Sequence, residues 1–336
     1  MTLASFGMGR DVADSGGQND GLLKVAAFHA RDLQAACVDV SAMIFPTAAE
    51  PPSEATIAAV SAKLAALVSS IEVRLTGEKN DQPSAAIWQL MARSGFLREP
   101  ELIEFLLARI AADRLDASID ADGEFPPTQQ LPARLLDHED ARIADAAQTL
   151  LAADSLHRRS VGFAYQELRP ELLHQLVWRT VAAMEVARGS KSGAEMDAAR
   201  QMLAQHDEGR TVQNAAAKLV HFLGSDQSFD LFDPRQAGLH LFIAAISARI
   251  EIDADHILRL FDTSSAAPGA MILRACGLGK EAALSIIYLF RGFQLTPRDV
   301  QLFERDYDSI PPETARHEIN NWALMRAQFL LSGENP

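Results

Sequence analysis

The sequence predicts an all-α protein, either an irregular HEAT-like helical-repeat solenoid or a multi-helix bundle of antiparallel helix pairs. Three observations lead there. Ala, Leu, Glu, Arg and Gln dominate the chain, and all of them favour helix. Apolar residues recur at i, i+3, i+4 over most of the chain, the period of a helix buried on one face. Few segments alternate Val, Ile, Thr and Tyr as strands do.

The elements follow in order. Residues 1–20 are rich in Gly, Ser and Asp and carry no apolar core, so they read as a disordered lead-in rather than a signal peptide. A helix should run over 21–45 and stop before Pro46. Ser53 caps a second helix with Ile57, Val60, Leu64, Leu67, Val68 and Ile71 at helical spacing. A short helix with Ile87, Trp88, Leu90 and Met91 ends at Gly95, and the next carries Leu102, Ile103, Leu106, Leu107 and Ile110 on one face.

Residues 120–130, DADGEFPPTQQ, combine Gly, two prolines and polar side chains. They read as a linker between an N-terminal helical subdomain at 21–119 and a C-terminal helical-repeat domain at 131–332. Beyond it, Asp137 and Asp140 stand where they would cap a helix bearing Ile143, Ala146, Ala147, Leu150 and Leu151. Further helices start at Pro170, near residue 192, at Thr211 and at Pro234, the last expected to run unbroken over 235–250. Asp253 caps another. The most apolar stretch, 267–291, reads as two helices hinged at Gly277-Leu278-Gly279. Its second helix is apolar on nearly every side and is expected to be buried all round. Thr296-Pro297-Arg298-Asp299 has the order of a capped start, and a last helix begins near Pro312.

The formal charge is −14, and no basic run is longer than Arg158-Arg159. Such a chain repels phosphate backbones and anionic membrane surfaces, so neither nucleic acid nor membrane is an expected partner. No window was found with the roughly 18 apolar residues of a membrane span. Two cysteines in apolar helical settings, Cys37 and Cys276, fit a reducing compartment, and a cytoplasmic location is expected.

Several segments together resemble a family of bacterial proteins with a HEAT-like, all-helical domain of unknown function. They are Ile71-Glu72-Val73-Arg74-Leu75, Met91-Ala92-Arg93-Ser94-Gly95-Phe96-Leu97, the 135–147 segment, and Leu273-Arg274-Ala275-Cys276-Gly277-Leu278 followed by Glu313-Thr314-Ala315-Arg316 and Asn321-Trp322. The resemblance spans most of 50–330. It implies a helical architecture and no particular reaction.

The chemistry-bearing patterns are few. Leu22-Leu23-Lys24 followed by His29-Ala30-Arg31-Asp32-Leu33-Gln34 resembles the phosphoacceptor helix of phosphotransfer modules. That resemblance implies phosphate accepted at His29 with Asp32 orienting the imidazole. Asp32 stands where such helices carry Asn in the comparable motif, and no Gly-rich ATP-binding boxes follow. Gly277-Leu278-Gly279 has the outline of a helix-turn-helix, but the second helix offers no side chains to read base edges. It also lacks the spacing of a P-loop or dinucleotide motif. His138-Glu139-Asp140 lies at a helix start, and in the group Asp253, Asp255, His256 and Asp262 the first two acids do, where capping and the macrodipole account for them. No metal-ligand motif, cofactor motif or GxSxG is present in the sequence. The sequence therefore points to a non-enzymatic protein–protein interaction module, a cytoplasmic adaptor or regulator, with phosphotransfer at His29 as the alternative.

Overall fold

The structure, a computed structural model, describes residues 21–27, 29–30, 53–78, 82–159, 164–224, 230–263 and 265–332. Sixteen α-helices and no strand are found among the described residues. They are α1 (21–27 and 29–30), α2 (Glu54–Thr76), α3 (Ala85–Arg93), α4 (Pro100–Asp122), α5 (Leu131–Arg134), α6 (Ala141–Arg159), α7 (Pro170–Arg188) and α8 (Gly193–Ala204). Then come α9 (Val212–Leu223), α10 (Pro234–Ala237), α11 (Leu239–Ile250), α12 (Ala254–Phe261), α13 (Ala267–Ala275), α14 (Lys280–Arg291), α15 (Pro297–Asp306) and α16 (Pro312–Ser332). The chain is all-α, as its composition and periodicity predict.

Local sequence explains many of the ends. Ser53, Ser192, Thr211, Asp233, Asp253 and Thr296 each accept a backbone N–H from the first turn of the following helix. Thr296 and Asp299 form a complete capping box before α15. Gly277, at φ 83°, closes α13. The Leu278 N–H donates to the Leu273 carbonyl at 3.1 Å and the Gly277 N–H to that of Arg274 at 2.9 Å. This is a Schellman closure, which needs the left-handed conformation that glycine adopts without a Cβ penalty.

The apolar side chains form two clusters. One joins α2, α3, the first half of α4, α7 and α8 through Leu64, Ile71, Met91, Leu102, Leu106, Leu176 and Val177. The larger one joins α1, the second half of α4, α6, α9 and α11 to α16. Helix α4 belongs to both, with Leu102 to Ile110 in the first and Ala111 to Ile119 in the second. It packs against α2, α11, α12 and α14. The 120–130 segment contains the last turn of α4 and a short 3₁₀ turn at Pro127–Gln129.

Three local expectations are corrected. The helix expected over 235–250 is broken at Gly238, whose φ of 77° and ψ of 155° separate α10 from α11. The helix buried all round is α13 rather than α14. Every α13 residue except Arg274 is buried, whereas α14 shows Glu281, Ala282, Ser285 and Tyr288 to solvent. Ala and Ser lower a helix's polarity without demanding burial, so α14 looked more enclosed than it is. Finally, α2 is long and apolar enough, by length and composition, to cross a membrane. Its Val60, Leu64, Leu67, Val68, Ile71 and Leu75 are buried in the smaller cluster, and core helices meet the same criterion.

Candidate functional site

A largely buried polar cluster lies where α4, α6 and α11 come together. Arg109, Asp113, Asp116 and Asp120 recur on α4 at helical spacing and share one face of an otherwise apolar helix. Asp154, His157 and Arg158 come from one face of α6, and His240 from the first turn of α11. Glu167 arrives on a 3₁₀ turn before α7.

Arg158 ties the two long helices together. Its guanidinium donates to Asp116 at 2.8 Å, Asp120 at 2.9 Å and Asp154 at 2.9 Å. Arg109 donates to Nε2 of His157 at 3.1 Å and faces Glu167 at 3.5 Å. Arginine only donates, so that histidine nitrogen accepts. Glu167 also receives the Val212 N–H at the start of α9, 3.1 Å away, where the helix dipole favours an anion. The His157 and His240 rings meet edge to face, with centroids 5.2 Å apart. Asp255 accepts from the Gln213 side chain next to this group.

Burial shapes the protonation of these groups. It pushes the Asp116 carboxyl up to about 7, against the pull of Arg158. It drives His240 down to about 3, with the Arg109 and Arg158 charges adding to the effect. Asp255 rises to about 6 through burial and the neighbouring Asp253 charge, opposed by the Gln213 hydrogen bond. Burial also raises Glu167 and lowers Arg109, and each is partly held back by the other's charge.

A cavity of about 30 Å³ opens beside the network, lined by Asp116, Gln130, Asp154, Arg158, Gly238 and His240 among others. A cavity needs only about 10–15 Å³ of such space to hold a water. The site gathers charge, neutral imidazole and a carboxyl tuned near neutrality, in a space far below the roughly 300 Å³ of a ligand pocket.

The residues singled out from sequence lie elsewhere. His29 is half-buried on α1, whose Leu22, Ala26 and Ala30 are buried in the larger cluster. Asp32 and Cys37 lie outside the described residues. Asp140 caps α6 and pairs with Arg142 at 2.7 Å. Asp253 caps α12 and pairs with Arg169 at 2.8 Å, while Asp262 pairs with Arg114 at 2.9 Å. Their oxygens are thus directed to separate partners, and no metal-holding group of three is found among the described residues. Burial raises the Cys276 thiol to about 12, which leaves it an inert packed thiol.

Sequence reasoning missed the α4–α6–α11 cluster. Its one local signal was the polar stripe Arg109, Asp113, Asp116, Asp120 inside an apolar helix, since His240 stands among apolar residues with no polar pattern around it.

Comparison of the chain with protein-family models, with curated proteins and with solved structures finds no match.

Proposed function

We propose that the chain is a non-enzymatic helical protein that acts by binding another protein, as an adaptor or regulator in the cytoplasm. One observation carries this reading. The polar site between α4, α6 and α11 is bound up in helix-to-helix ion pairs, and its cavity of about 30 Å³ has room for water and not for a substrate. The charge of −14 favours a partner that presents a basic face and speeds encounter with it. For the architecture, contacts of α4 with α12 and α14 favour the multi-helix bundle over a HEAT-like solenoid, in which each repeat meets only its neighbours.

Affinity purification of the tagged full chain from its native cells tests the reading. A reproducible protein partner that is released by salt supports it. Recovery of no partner, together with a small molecule retained on the purified chain by native mass spectrometry, overturns it.

Phosphate transfer at His29 is the second reading. It rests on the resemblance of the His29 segment to a phosphoacceptor helix, while His29 itself is half-buried on a helix docked through Leu22, Ala26 and Ala30. A phosphorylated receiver or kinase should label the chain, and His29→Ala should abolish the label. No label from any donor tested removes this reading.

A further inference from the structure

Three side-chain atoms converge on the cavity between α5, α6 and α11 with no protein partner: Nε2 of Gln130, Oδ1 of Asp154 and Nε2 of His240. The His240 side chain is only 7% exposed and Gln130 as a residue 7%. The His240 nitrogen stands 3.6 Å from the Asp154 oxygen, too far for a direct hydrogen bond. A buried polar atom left without a partner is costly, so three at one cavity call for a ligand.

We propose that this cavity is a binding site for one water molecule, held jointly by Gln130, Asp154 and His240. Size sets the first constraint. The cavity measures about 30 Å³, and a water needs roughly 10–15 Å³ of such volume and two to four polar partners. Chemistry sets the second. Gln130 Nε2 offers protons, Asp154 Oδ1 accepts them, and the neutral His240 imidazole does either. A molecule that both donates and accepts satisfies all three at once. A cation meets the Gln130 amide protons and the Arg158 guanidinium, which already holds the other Asp154 oxygen at 2.9 Å. An anion meets the Asp154 and Asp116 carboxyl groups. Gln130 packs closely on Gly238, where an added Cβ would lie 2.8 Å from Gln130 Oε1, and its Nε2 is the amide atom left without a protein partner. The water links the start of α5 to α6 and α11.

A crystal structure of the unmodified protein at high resolution tests the site. The expected result is one density peak within about 3.2 Å of all three atoms, refining as oxygen. A peak with ligands at roughly 2.0–2.4 Å identifies a metal ion and overturns the proposal, as does an empty cavity. Oxygen-17 relaxation dispersion provides a solution check. Gln130→Met should remove one long-lived water from the amplitude while circular dichroism stays helical. An unchanged amplitude in a folded Gln130→Met variant also overturns the proposal.

Discussion

The Arg259 guanidinium donates to Glu104 at 2.6 Å across the crossing of α12 and α4, with side chains 3% and 6% exposed. The two residues are 155 positions apart in sequence. Both charges are desolvated, so the pairing matters to each. Glu104→Ala takes this carboxylate from a buried guanidinium and should cost about 3–5 kcal/mol. Replacing both residues by leucine and methionine should cost much less. Urea unfolding of the single and double variants separates the cases, and equal losses would show that the pair is not coupled.

Asp116 makes stability depend on pH. Its carboxyl sits at about 7 in the folded chain against an ordinary 3.8, because burial outweighs the Arg158 charge. The folded state therefore holds this proton more tightly than the unfolded one, and the stability it contributes, complete below pH 3.8, falls as pH rises toward 7. Asp116→Asn cannot ionise. Relative to the parent, the variant should do better at pH 8 than at pH 5 in urea melts. His240 acts in the opposite sense, since its lowered pKa withdraws stability on acidification from 6.5 toward 3. The comparison must therefore be made between the parent and Asp116→Asn at each pH. A difference that is the same at both pH values would contradict the assignment.

Gly269 lets α13 approach its neighbours. A Cβ there would lie 2.9 Å from Cδ1 of Phe261 and 3.1 Å from Cδ1 of Ile287. Alanine gains about 1 kcal/mol of helix propensity, but overpacking typically costs about 1–3 kcal/mol. Gly269→Ala should therefore lower the melting temperature despite improving the helix. A higher melting temperature would mean that the Phe261 ring moves aside freely.

Ile286, 3% exposed on the inner face of α14, gives a test of the same region. Ile286→Asp places an unpaired carboxylate in the larger core and should cost at least about 3 kcal/mol. Ser285→Asp, one position away on the outer face, should be within about 0.5 kcal/mol of the parent. Circular dichroism melts of the two variants distinguish the faces, and similar losses from both would contradict the orientation of α14.

Helix ends were the most legible part of the sequence, because capping is local chemistry. Thr296 and Asp299, Asp253, and Gly277 each act within a few residues of their own position. The orientation of α14 was less legible, since Ala282 and Ser285 fit either environment. The break between α10 and α11 falls at Gly238, and a single glycine ahead of the apolar stretch 241–246 does not by itself announce a break; the backbone conformation does. The candidate site was nearly invisible. Asp116, Asp154 and His240 come from three separate helices, and no spacing rule connects residues that only tertiary packing brings together.

Helix α4 has a consequence for how the chain is made. Its second half is covered by α12 and α14, which a ribosome delivers long after α4 has left the exit tunnel. Until residue 291 emerges, Ala111, Leu115 and Ile119 have only part of their final cover, and Glu104 has yet to meet Arg259. The nascent chain must therefore carry an open apolar face through much of its synthesis, where a holding chaperone would find its natural substrate.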